Sequence, residues 1–315
     1  MLKRMIVFAL AVLFTLSGCS KAPEPLPAPA TTKLSEHVYV LVGPLELPNK
    51  ENRGFMNNPG LIITDKGVVV IDPGSSAAVG EMVLAQARKL TDKPVIAVFN
   101  THIHGDHWLG NGAIKKAYPK AVIYAHPKMK ARAAADGPTW ITLFNQMTEG
   151  TLAETTPVGP DMEVNDGETV KLGGIDFLIH HTGKAHTDGD IMIELPQEKV
   201  FFTGDIVNNR AVRGINDGSL KGNVVAIDRA LASKAEKIVP GHGAPSDVTV
   251  LKENRDYFAT LYATVKQAYA EGLTDFDAKP KVVDALAAYK SWNRFDEEVG
   301  RQISIAYLEA EQESF

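Results

Sequence analysis

From His37 onward, short apolar runs rich in Val and Ile alternate with longer stretches in which apolar residues recur at helical spacing. The short runs predict strands at residues 38–42, 61–64 and 68–72, with Asp65-Lys66-Gly67 supplying the turn of a hairpin. Ser75 or Ser76 can cap a helix that continues to Leu90, and residues 95–100 and 122–125 predict two further strands. Residues 127–147 predict a helical stretch broken near Gly137-Pro138. A second block follows: strands at 169–172, 175–180, 191–195 and 200–203, a helix at about 224–235, a short strand at 237–239, and a helical C-terminal part at about 246–315. Two successive blocks of this kind predict an α/β fold in which two mixed sheets pack together with helices outside.

The N-terminus breaks the pattern. Lys3 and Arg4 precede an apolar run from Met5 to Leu16, then Ser17, Gly18 and Cys19. About a dozen apolar residues fall short of the roughly 20 that span a bilayer, so the segment predicts an export signal and not an anchor helix. Leu16-Ser17-Gly18-Cys19 resembles the lipobox of bacterial lipoproteins, which implies cleavage before Cys19 and lipidation of that residue. Cys19 is the only cysteine, which fits acylation better than a disulfide. Residues 20–34, with Pro23, Pro25, Pro27 and Pro29 among alanines, predict an extended tether to a folded body at 35–315. Ser20 after the cysteine resembles the outer-membrane sorting pattern, so the expected location is the cell envelope, lipid-anchored and facing the periplasm.

Composition narrows the partners. With 44% hydrophobic residues, the 315-residue chain can bury a substantial core, and its net charge of −5 offers no field for a polyanion. Nucleic acid is therefore not an expected partner.

The densest chemistry lies in Thr101-His102-Ile103-His104-Gly105-Asp106-His107, directly after the strand at 95–100. Alternation along an extended chain puts His102 and His104 on one side, while the following turn aims Asp106 and His107 elsewhere, so the segment offers ligands for two ions. This His-x-His-x-Asp-His pattern resembles that of the metallo-β-lactamase superfamily. The resemblance extends over about residues 35–245: Asp72 in Ile71-Asp72-Pro73-Gly74, His186 in Ala185-His186-Thr187-Asp188, Asp205 in Thr203-Gly204-Asp205 and His242 in Pro240-Gly241-His242-Gly243 match the other motifs in order. It implies a four-layer αββα sandwich with a helical C-terminal extension. It also implies that His102, His104 and His186 hold one metal, that Asp106, His107 and His242 hold the other, and that Asp205 bridges them with Asp72 supporting the metal loop from behind. Such a ligand set suits two zinc ions, and iron or manganese would tolerate it. A metal-bridging hydroxide is the expected nucleophile, with Asp106 orienting it or carrying a proton to the leaving group.

At position 205, aspartate stands where many β-lactamases of this superfamily use cysteine. The resemblance there is to glyoxalase II and its esterase, lactonase and phosphodiesterase relatives, which implies a hydrolase of a small ester, thioester, lactone or lactam. Alternatives are a β-lactamase proper, an iron-dependent sulfur oxidoreductase and a non-catalytic exported accessory protein. Candidate substrate contacts are Phe55 and Met56 in a loop before a strand, Trp108 after the metal motif, Trp140 and Phe144 in the helical region, and Arg210, Arg213 and Lys221 after Asp205. His37, His126, His180 and His181 match no ligand position and read as structural or surface residues.

Overall fold

The computed structural model describes residues 25–152 and 154–314; the expected export signal, Cys19 and the first residues of the expected tether lie outside the described residues. The first sheet runs in chain order through β1 (Thr32–Lys33), β2 (Val38–Val40), β3 (Gly60–Ile63), β4 (Val68–Ile71), β5 (Val95–Phe99), β6 (Val122–Ala125) and β7 (Met162–Glu163). Its first four strands pair antiparallel and its last four parallel. The second sheet takes β8 (Thr169–Leu172), β9 (Ile175–His180), β10 (Met192–Leu195) and β11 (Val200–Gly204) as an antiparallel meander, and β12 (Lys237–Pro240) joins β11 in parallel.

Alternation along each strand divides the core. Val69 and Ile71 of β4 join Phe99, Phe177, Ile193 and Phe202 between the two sheets. Their neighbours Val68 and Val70 turn the other way, onto Val79, Met82 and Val83 of α1 (Ala77–Leu90) and Ile114 of α3 (Asn111–Ala117), α2 (Gly105–Trp108) lying between these helices in sequence. Because both faces of β4 are covered, it reads as an unbroken apolar run. On the far side, Phe201 and Ile238 pack against α5 (Leu220–Leu231), α6 (Thr249–Ala270) and α8 (Phe295–Gln312), with α7 (Asp275–Ala285) adding Val282. Helices, sheet, sheet and helices thus form four layers, the C-terminal helices completing the outer one.

Three expectations need correction. The helical stretch at 127–147 is not broken: α4 (Pro127–Met147) runs through Gly137 and Pro138. The helix expected from about 224 begins at Leu220, because the Ser219 hydroxyl accepts the Gly222 amide at 3.0 Å and caps it there. The described part of the tether is not free: Leu26 is buried against Leu41, Phe55 and Met82, and Thr32 and Lys33 pair with Val40 and Tyr39. Between the prolines, Ala28 packs beside Leu26 on the same cluster. Among the described residues, no helix is long and apolar enough to cross a membrane.

Candidate metal centre

The seven candidate ligands arrive from the ends of strands at one edge of the sandwich. His102 and His104 lie on the extended segment after β5, and the short turn of α2 redirects Asp106 and His107. His186 comes from the loop between β9 and β10, Asp205 follows β11 and His242 follows β12. Their donor atoms converge in three overlapping groups, each within 4.8 Å: His102 with His104 and His186, His102 with His107 and Asp205, and Asp106 with His107 and His242. Asp205 sits between the outer two, its Oδ1 3.2 Å from His107 Nε2 and its Oδ2 3.3 Å from His242 Nε2 and 3.7 Å from His186 Nε2. Asp106 Oδ2 lies 3.1 Å from His242 Nε2 and 3.4 Å from His107 Nε2.

Buried polar atoms ordinarily find partners, so the exceptions are informative. His102 Nε2, His107 Nε2 and Asp205 Oδ1 are buried, turned into the cluster, and hydrogen-bonded to nothing. A cation accepting those lone pairs resolves all three, and a set of imidazoles and carboxylates without thiolate suits zinc as well as iron or manganese. The residues present therefore fit metal ions.

Electrostatics agree with the geometry. Burial, then the fields of neighbouring imidazoles, hold His102 well below the usual histidine range, and burial first brings His186 down to about 3. Burial alone would lower His107, but the carboxylates of Asp106, Asp205 and Asp72 outweigh it and raise it well above its usual value. Burial alone would raise Asp106 and Asp205, yet His107 and His242 hold both well below the carboxylate range.

The imidazoles are aimed from behind. Asp72, at φ 50° just after β4, accepts the Thr101 amide at 2.8 Å, the Thr101 hydroxyl at 2.6 Å and His107 Nδ1–H at 2.8 Å. The Thr101 oxygen in turn lies 3.0 Å from His102 Nδ1, so one carboxylate fixes two rings with Nε2 inward. Met56 carbonyl accepts His242 Nδ1–H at 2.9 Å, and Asn58 Nδ2 donates to the Pro240 and Gly243 carbonyls. Asn57 Nδ2 donates to the Asp72 carbonyl at 2.9 Å. Sequence reasoning missed Asn57 and Asn58, although two buried amides in a row before a strand are a signal of backbone bracing. Thr187 and Asp190 close the His186 loop, the Asp190 carboxylate accepting the Thr187 amide and hydroxyl, both at 2.7 Å.

The family model described as Metallo-beta-lactamase superfamily matches residues 52–242, more than half of the 315. The chain belongs to that superfamily. A linear primary-alkylsulfatase from Pseudomonas sp. is 23% identical over 275 residues, covering 74% of this chain and 52% of the relative. A hydroxyacylglutathione hydrolase from Francisella tularensis subsp. novicida is 27% identical over 164 residues, 52% of each. The chain spans about half the length of these curated relatives. A solved sec-alkylsulfatase from Pseudomonas sp. shares the fold, with TM-score 0.66 at 19% identity, covering 89% of this chain and 50% of that one.

The expected substrate contacts divide on this superfamily frame. Trp140 of α4 stands at the centre, its ring 5.2 Å from that of His104, with Phe144 buried behind it. Trp108 does not reach the site: it is fully buried beneath the metal loop, and Nε1 donates to the Ile103 carbonyl. Phe55 is likewise core, packed with Leu26 and Met82. Arg210 and Lys221 point to the helical layer, Arg210 towards Glu253 of α6 and Lys221 onto Glu313 and Tyr262. Arg213 behaves differently. It is 8% exposed, its Nε and Nη2 are buried without hydrogen-bond partners, and its charge acts on Asp205, Asp106 and His242.

Proposed function

We propose that this protein is a hydrolase that holds two metal ions, zinc in the first place, and cleaves a small ester, thioester or lactone. The observation that carries the reading is the convergence of seven donors, six buried and His104 half-buried, with His102 Nε2, His107 Nε2 and Asp205 Oδ1 left without a hydrogen bond. Ions bound there would supply Lewis acidity and lower the pKa of a water from about 15.7 towards 7. The chain's own residues do the rest. Asp106, kept ionised by its contacts with His107 and His242, would orient the nucleophile or carry a proton on to the leaving group, and Trp140 walls the side of His104. Asp205 contributes its charge between the two outer groups, which favours firm retention of cations over attack on a weakly activated amide.

The test is the chain lacking residues 1–19, assayed for metal and for turnover. About two ions per chain are expected, as in two-metal sites, and esters, thioesters or lactones should be turned over faster than penicillins, cephalosporins or carbapenems. Metal content near zero in zinc-replete medium rejects the reading. Iron in place of zinc, with thiol oxidation, moves it to an oxidoreductase, and a tenfold preference for a carbapenem or cephalosporin makes β-lactam hydrolysis the activity.

A second reading narrows the substrate to an ester that carries an anionic group. Arg213 favours it, a buried guanidinium whose Nε and Nη2 lack hydrogen-bond partners and which lies in the field of Asp205 and Asp106, as does the similarity to a protein named as an alkylsulfatase. The lipobox-like Leu16-Ser17-Gly18-Cys19, if it acts as expected, would put this activity in the cell envelope.

A further inference from the structure

Among the imidazoles of the centre, His102, His107 and His242 have their outward nitrogens tied to Thr101, Asp72 and Met56. His104 faces the opposite way. Its Nδ1 lies 2.9 Å from His186 Nε2, inside the group formed with His102, which leaves Nε2 turned out. Asp217, on the loop before α5, stands there with Oδ2 3.7 Å from His104 Nε2. Among the described residues it is the one carboxylate within ion-pair range of His104.

We infer that Asp217 is a positioning residue of the metal centre: its carboxylate keeps the proton of His104 on Nε2, so that the Nδ1 lone pair stays directed at the position shared with His102 and His186. The inference rests on the metal-binding reading above. An imidazole left unanchored samples two tautomers and a range of ring rotations, and only one of these presents Nδ1 correctly.

The surroundings hold Asp217 in place for this role. Arg132 of α4 reaches it at 3.5 Å and also engages Asp136 at 2.9 Å and Asp188 at 3.5 Å, so one guanidinium joins α4, the His186 loop and the Asp217 loop. The backbone is fixed as well. Ser219 amide donates to the Ala185 carbonyl at 2.7 Å, and at Gly218 a Cβ would come within 2.4 Å of that carbonyl and 2.6 Å of the one of His186. The loop bearing Asp217 is therefore seated directly on the backbone of a second candidate ligand. Trp140, from the same helix as Arg132, covers the neighbouring side of the His104 ring.

The alternative is that Asp217, with its side chain 42% exposed, merely pairs with Arg132 to clasp the loops. Zinc affinity of the whole chain, measured by competition with a chromophoric chelator, separates the two, together with the visible spectrum of the cobalt(II)-substituted protein. Asp217→Ala should weaken one of the two zinc-binding steps about 10- to 100-fold, the range for loss of an outer partner of a metal-bound histidine, and should alter the cobalt bands. Asp217→Glu should recover part of that loss, and Arg132→Gln should cost clearly less than Asp217→Ala. Unchanged affinity and spectrum in Asp217→Ala overturn the inference, as do equal losses in Asp217→Ala and Arg132→Gln, which would put the effect on the loop clasp. Wild-type chain that takes up no zinc overturns the metal-binding reading and this inference together; wild-type binding with an indifferent Asp217 overturns this inference alone. Circular dichroism of each variant, with Asp217→Asn as a near-isosteric second variant, separates loss of affinity from loss of fold.

Discussion

Arg213 and Arg210 are three residues apart, and the chain treats them oppositely. The side chain of Arg210 is 68% exposed, whereas Arg213 is 8% exposed with two nitrogens unpartnered. Leaving a guanidinium buried and unpaired costs several kcal/mol in general. Here the fields of Asp205 and Asp106 offset part of that cost, and the backbone is held from outside, Gln302 donating to the Arg213 carbonyl at 2.8 Å while Tyr257 donates to Gln302. Cations held by those two carboxylates, as proposed above, would leave the arginine to a substrate anion. Hydrogen bonds to charged groups contribute about 1.5–3 kcal/mol, so Arg213→Gln should lower kcat/KM for an anionic nitrophenyl ester, relative to its matched neutral ester, about 10- to 100-fold and chiefly through KM. An equal fall on both esters would make Arg213 a structural charge. The sequence marks the candidate metal ligands because histidines and aspartates crowded at that spacing serve few purposes besides holding a cation. It does not mark Arg213 over Arg210, or Trp140 over Trp108, because adjacency to a ligand along the chain leaves open which side of the turn a side chain takes.

Among the elements, α4 shows where periodicity misleads. Gly137-Pro138 reads as a breaker, since proline lacks an amide and crowds the preceding turn. The helix nevertheless continues to Met147, with the Thr142 hydroxyl donating to the Pro138 carbonyl at 2.8 Å. Gly137 is there for proximity: a Cβ would lie 2.7 Å from Pro157 Cβ and 3.0 Å from Trp108 Cη2. Alanine at this position gains about 1 kcal/mol in helix propensity but meets an overpacking cost of about 1–3 kcal/mol. Packing should win, and Gly137→Ala should lower the urea midpoint; a higher midpoint would mean that Pro157 yields freely. The central strands were legible because their apolar runs leave no other fold for them. The two-residue edge strands β1 and β7 were not, being shorter than any period that could reveal them.

At the scale of the molecule, the C-terminal helices both cover the second sheet and brace the loop of Arg213 through Tyr257 and Gln302. That second role had no counterpart in the sequence, where residues 246–315 showed only helical pattern. The opposite end bears on location. The lipobox-like Leu16-Ser17-Gly18-Cys19 predicts that cells producing the full chain incorporate labelled fatty acid into it and that Cys19→Ala abolishes the label; labelling that persists in the variant rejects lipidation. Leu26, docked beside Met82 of α1, then acquires a meaning beyond packing. The stretch from Cys19 to Leu26 cannot exceed about 25 Å even fully extended. A lipid at Cys19 would therefore hold the α1 side of the protein close to the bilayer surface, confining its search for substrate to a thin layer above the lipid headgroups.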